Sequence, residues 1–175
     1  MIELLRTRRS IRKYADKAVT SAQSALLQEA LLRSPSSRDN TPWEFIFVEN
    51  RETLRTLSRC KPSGAEFLKS APLAIAVCGD ERKSDVWVEN CSIACIVVQL
   101  AAHSLGLGSC WIQIRNREHD ATKSAEHFIQ ELLAIPGYLR VEALISVGWP
   151  AEEKEARPRE TLDYGKIKFE TYTSS

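Results

Sequence analysis

A chain of 175 residues, 43% of them hydrophobic, is large enough to bury one continuous core and falls in the size range of a single domain. Lys and Arg number 24 against 23 Asp and Glu, a near balance that removes the global electrostatic case for nucleic acid or an anionic membrane as partner. The five cysteines, Cys60, Cys78, Cys91, Cys95 and Cys110, are odd in number and include no CxxC pair or His-rich zinc spacing, so neither a disulfide scaffold nor a metal site is expected.

At the N-terminus, Ile2, Leu4 and Leu5 among charged neighbours predict a short amphipathic helix running into a basic cluster, Arg6, Arg8, Arg9, Arg12 and Lys13. This opening lacks the long apolar run of a signal peptide or membrane span, which points to a cytoplasmic protein whose thiols stay reduced. Thr20 is placed to cap a second helix through Leu32, with Leu26, Leu27, Ala30 and Leu31 at helical spacing and Ser34-Pro35 as its stop. Residues 34–43, SPSSRDNTPW, concentrate turn-forming side chains and read as a loop. WEFIFVEN then carries strand patterning, and RETLRTLSRC returns to helical spacing through Leu54 and Leu57.

PLAIAVCGD, residues 72–80, is a nearly unbroken apolar run expected as a central strand covered on both faces. Over residues 86–105, Val88, Ile93, Ile96, Val97, Leu100 and Ala101 fill nearly every turn, predicting a helix buried all round. Cys91 and Cys95 lie four apart on it and read as small buried hydrophobes. GLGSCWIQI ends that helix with two glycines and opens a short strand. A further helix is expected over residues 121–134, and LRVEALISVGWP, residues 139–150, reads as the last strand, closed by Pro150. Residues 151–175 turn polar and charged, and Ile167, Phe169 and Tyr172 favour a tail that orders by wrapping a partner subunit.

Two groups of residues could carry chemistry. RRSIRK, residues 8–13, sets several guanidinium groups beside a hydroxyl, a donor set suited to a phosphate dianion, although alone it reads first as a solvated basic face. Arg157 and Arg159 in ARPR are surface charge unless the fold brings them to Arg8 and Ser10. GLGSCW is no dinucleotide fingerprint, because Trp111 stands where a third glycine is needed and a helix, not a strand, precedes it. Its glycines permit close approach of a flat ligand or simply end a helix. His103, His119 and His127 form no triad, Cys-His pair or metal spacing, and His103 reads as a satisfied core side chain. No catalytic acid, base or nucleophile is assigned, which leaves chemistry supplied by a cofactor.

Together, in this order, these motifs resemble the FMN-dependent nitroreductase family from about Ile2 to Arg159. RTRRSIRKY resembles the family's Arg-x-Ser signature, which implies that Arg8, Arg9 and Ser10 bind the FMN phosphate. Arg12 matches a basic position reaching the pyrimidine end of the flavin, where a fixed cation favours the negative charge that accumulates on reduction. SPSSRDNTPW resembles a Pro-Ser loop that reaches FMN from the other subunit, giving Pro35, Ser36 and Ser37, with Asp39 where Asn is usual and Thr41 where Gln is usual. Asn40 is the neighbour that could stand in for that Asn. The stretch from Asp85 to Ile114 resembles the core helix, Gly-Leu-Gly and Trp segment, which places Trp111, Ile112 and Gln113 along the ring. LRVEALISVGWPAEEKEARPR resembles the last core strand and the basic return to the phosphate, giving Arg157 and Arg159.

The resemblance implies an α+β fold, a mostly antiparallel central sheet flanked by helices, in an intertwined homodimer with two FMN sites. The helix over residues 86–105 would form the dimer core. It further implies ping-pong transfer from NADH or NADPH to a small organic acceptor such as a nitroaromatic or quinone. Rival readings are a same-fold flavoenzyme with another reaction, such as flavin reduction or dehalogenation, and a non-catalytic FMN-sensing dimer.

Overall fold

The computed structural model describes residues 1–172. Four strands form one antiparallel sheet in the order β1-β2-β4-β3: β1 (Trp43–Val48), β2 (Leu73–Asp80), β3 (Gly108–Gln113) and β4 (Leu139–Gly148). The architecture is the expected α+β one. Every residue of β2 is buried, as its apolar run requires of an inner strand.

Helices cover both faces, because side chains alternate across each strand. On one face Ile112 and Leu144 meet Leu54 and Leu57 of α3 (Arg51–Leu57) and Ile129 of α5 (Ala125–Leu132). On the other, Ile75, Val77, Ile145 and Val147 meet Leu27 and Leu31 of α2 (Ser21–Leu32) and Cys95 and Val98 of α4 (Trp87–Ser104). Each large side chain so buried contributes about 1.5–3 kcal/mol. A short α1 (Ile2–Thr7) has no buried residue.

Local chemistry sets the helix ends. Thr20 and Gln23 form a reciprocal capping box on α2, with Thr20 Oγ1 accepting from Gln23 N at 3.2 Å and Gln23 Oε1 from Thr20 N at 3.1 Å. Asn50 Oδ1 accepts from the amides of Glu52 and Thr53 at the start of α3. At the end of α4, Gly106 at φ +74° lets its own amide and that of Leu107 reach back to His103 and Ala102.

Two expectations need correction. The helix expected from residue 121 begins only at Ala125, because Asp120 Oδ1 accepts from the amides of Thr122 and Lys123 and closes a turn there. Ser124 then caps the helix through His127 N at 3.1 Å. Nor is α4 buried all round within one protomer: Ile93 and Ile96 are 38% and 37% exposed. With Val97 and Leu100 half-buried beside them, they form a bare apolar stripe.

One irregularity matters later. The β2–β4 register shifts between Val77 and Cys78, which leaves Glu142 as an extra residue in β4.

Candidate cofactor cradle

The basic loop after α1 is held in place by backbone. Ser10 bridges Ser109 in parallel fashion, and Ile11 N donates to Ser109 O at 3.0 Å, which adds the loop to the outer edge of β3. This approach needs Gly108, since a Cβ there would lie 2.7 Å from the Ile11 Cβ. So the glycine serves docking of the chain's own loop, and Gly106 a helix end, before either serves a ligand. Further on, Ala15 N donates to Trp149 O and Ala151 N to Lys13 O, both at 2.9 Å. The loop thus lies between the edge strand and the segment leaving β4.

That placement unites the two ends of the chain. Arg8, Arg9 and Ser10 line a cavity of about 870 Å³ together with Arg157 and Arg159. Arg9 donates to the carbonyl of Glu155, and Arg8 reaches Gln99 Oε1 of α4 at 3.5 Å. Arg159 Nε donates to Tyr164 Oη at 3.4 Å, while Arg157 has no hydrogen bond or ion pair among the described residues. Guanidinium groups in excess around one cavity, with a hydroxyl beside them, are the donor set for a phosphate. Arg12 stands outside that cavity, its guanidinium 5.9 Å from the Phe67 ring centre.

β3 is the sheet's edge, and its hydrogen bonding alternates. Because Ser109 faces outward to Ile11, Trp111 and Gln113 also turn their backbone groups to the open edge. Their side chains join, with Trp111 Nε1 donating to Gln113 Oε1 at 2.9 Å. Ile112 differs from its neighbours. It is 1% exposed, packs in the core, and faces Leu144 in the ladder, so its side chain serves the core rather than the open edge.

The Pro35 to Asp39 segment lines no part of the cavity within one protomer. It is nonetheless firmly built. Ser37 N donates to the buried Asn90 Oδ1 at 2.9 Å, Thr41 N to Ser36 Oγ at 3.0 Å, and Asn40 Nδ2 to Lys83 O at 3.1 Å. Arg38, Asp39 and Thr41 hold positive φ of 52°, 55° and 40°, a strained conformation that Asn and Asp adopt more readily than other side chains. Asn40 is therefore committed to anchoring the loop, and Asp39 presents an exposed carboxylate with no partner among the described residues.

The histidines make structural contacts, and His103 is half-buried rather than the core side chain expected. Thr7 Oγ1 donates its one proton to Glu3 O, so His103 Nε2 must donate to Thr7 Oγ1 at 2.8 Å. His119 stacks on Phe128 with ring centres 4.2 Å apart. All five cysteines are free and buried, and burial pushes Cys60 up to about 11 and Cys78 to about 12, far from a reactive thiolate. No group of three or more metal-binding side chains exists among the described residues. Asn90 and Gln99, which hold the loop and Arg8, carried no signal in the sequence beyond being polar in an apolar helix.

An antiparallel sheet between helices, with an arginine-lined cavity built onto its edge strand, defines an α+β protein whose cavity carries donors suited to a phosphorylated group. The nitroreductase family model matches residues 5–62 and 57–149, and the chain belongs to that family. It is similar to an FMN-dependent nitroreductase from Clostridium difficile R20291, with 47% identity, a TM-score of 0.97, and 98% of this chain and 100% of that one covered. A protein of Methanothermobacter thermautotrophicus, provisionally named an NADH dehydrogenase/NAD(P)H nitroreductase, is 38% identical over 175 residues, covering 98% of this chain and 87% of its own. An FMN reductase [NAD(P)H] of Bacillus subtilis is 26% identical over 180 residues, covering 91% of this chain and 69% of its own.

Proposed function

We propose that the protein is an FMN-dependent oxidoreductase that takes reducing equivalents from NADH or NADPH and passes them to a small organic acceptor, such as a nitroaromatic or quinone, in a ping-pong scheme. The observation that carries this reading is the meeting of Arg8, Arg9 and Ser10 with Arg157 and Arg159 around one cavity. The names of the Clostridium and Bacillus relatives support the choice of FMN and of a nicotinamide donor.

FMN, when bound, supplies the hydride and electron chemistry; the chain supplies position and field. The arginines and Ser10 hold the phosphate. Arg12 offers a fixed cation to the pyrimidine end, and Trp111 and Gln113 offer free backbone groups at the sheet edge. Pro35, Ser36, Ser37 and Asp39 reach the site of a second subunit, because they line none of their own. The bare stripe of Ile93 and Ile96 on α4 is the seam of that homodimer. Ile167, Phe169 and Tyr172, exposed on the tail, lie over the partner.

The test is direct. Purified protein is yellow, elutes as a dimer with one FMN per chain, and is bleached anaerobically by NADH or NADPH. Colourless protein that takes up no FMN when it is supplied in excess ends the proposal. Arg8→Ala removes one charge-assisted contact and weakens FMN by about 1.5–3 kcal/mol, roughly 10- to 150-fold in Kd.

A further inference from the structure

We infer that Glu152 and Lys154 are positioning residues that lock the cationic loop of residues 8–13 into the shape that receives the FMN phosphate. The inference rests on the flavin reading above. Glu152 Oε1 accepts from Arg12 N at 2.6 Å and from Lys13 N at 3.2 Å, so one carboxylate oxygen gathers two successive loop amides. Lys154 Nζ lies 3.2 Å from the same oxygen and donates to Ser10 O at 2.7 Å. The pair therefore grips the loop at its middle and at its end, at Ser10 and at Arg12–Lys13.

Several features argue that this is more than a surface ion pair. The Glu152 and Lys154 side chains are only 18% and 25% exposed, so water screens them less than it screens a fully exposed surface pair, and their bonds run to backbone that cannot swing away. The loop they grip carries Arg8, Arg9, Arg12 and Lys13 within six residues, a self-repelling stretch that needs its backbone anchored to keep one conformation. The amides and Lys154 together hold the Glu152 carboxyl below the ordinary glutamate range.

Charge and position make opposite forecasts here. As a bare negative charge near a phosphate site, Glu152 opposes FMN binding, and its removal would tighten the complex. As a positioning residue it favours binding, and its removal loosens the complex.

Apoprotein carrying Glu152→Ala, Glu152→Gln, Lys154→Met or Lys154→Arg is titrated with FMN by fluorescence quenching, with apo melting temperatures recorded alongside. Glu152→Ala and Lys154→Met should raise Kd about 10-fold or more, while Glu152→Gln, which keeps an acceptor oxygen, and Lys154→Arg, which keeps a cationic donor, stay within about 3-fold. Amide hydrogen exchange of Arg12 and Lys13 in the apoprotein supplies a readout without flavin: faster in Glu152→Ala, protected in Glu152→Gln. Unchanged or tighter FMN binding by Glu152→Ala, or exchange equal to that of the unmutated protein, overturns the inference. Failure of the unmutated protein to bind FMN while the exchange difference persists overturns the flavin reading instead.

Discussion

Glu142 is the least comfortable side chain in the fold. The register shift in β4 turns it inward, where it is 4% exposed, and its Oε2 is a buried side-chain oxygen without a partner among the described residues. Burial pushes its carboxyl up, with Glu126 and Glu89 adding to the rise and Arg115 opposing it. A raised acid in the folded state means the charged form is the penalised one, so the penalty is present at high pH and is relieved as pH falls and the carboxyl protonates. Glu142→Gln should accordingly stabilise the protein by about 1 kcal/mol at about pH 8, with the gain shrinking towards about pH 5. Urea denaturation at the two pH values checks this, and a gain that does not depend on pH contradicts it. A different single charge bears on redox behaviour. Asp39 places an unpaired carboxylate on the loop assigned to the partner's flavin, so Asp39→Asn should raise the FMN midpoint potential by roughly 10–30 mV. Spectroelectrochemical titration of both proteins measures the shift, and an equal or lower potential removes Asp39 from the site.

At the scale of elements, sequence patterning was informative wherever bonds are local. The Thr20 cap and the two-faced burial of β2 follow from neighbours within a few positions. The start of α5 was missed because the Asp120 turn competed with helix for the same amides. The bare face of α4 was misjudged for another reason: apolar residues on all sides do not distinguish burial in a protomer from burial between two. That face leads to a prediction about assembly. Ile96→Glu sets a charge in the proposed seam and should convert the dimer to monomer with loss of bound FMN, as sedimentation velocity followed at the flavin absorbance would report. A dimer that persists would place the interface elsewhere. Gly108→Ala acts on the same cradle from within one chain, since the added Cβ collides with Ile11. It should weaken FMN retention by about 10-fold or more, read by equilibrium dialysis.

For the molecule as a whole, acid is the informative stress. Arg82 holds the Asp80 carboxyl down to about 2 from its ordinary 3.8, and Glu126 and Glu152 are also lowered, although burial partly opposes the Arg140 and backbone bonds at Glu126. Groups depressed in this way lend stability that is complete above the ordinary carboxylate range and is lost as pH falls through the folded value. Thermal midpoints should therefore drop between about pH 4 and pH 2, and Asp80→Asn should flatten that part of the curve. The site's long-range geometry was the least legible feature. Arg8 and Arg157 are separated by almost the whole chain, and only the family resemblance set them side by side; no local pattern marks Glu152 as the acceptor for Arg12.

The seating of residues 10–15 between Ser109 and Trp149–Ala151 also orders events during synthesis. Ser109 precedes β4 in the chain, whereas Trp149 and Ala151 follow it, so residues 10–15 complete their hydrogen bonding only once the segment beyond β4 has been made. A nascent chain halted before Trp149 thus has the Ser109 side of the seat alone, and the backbone groups of Lys13 and Ala15 are left without the partners that hold them in the finished fold.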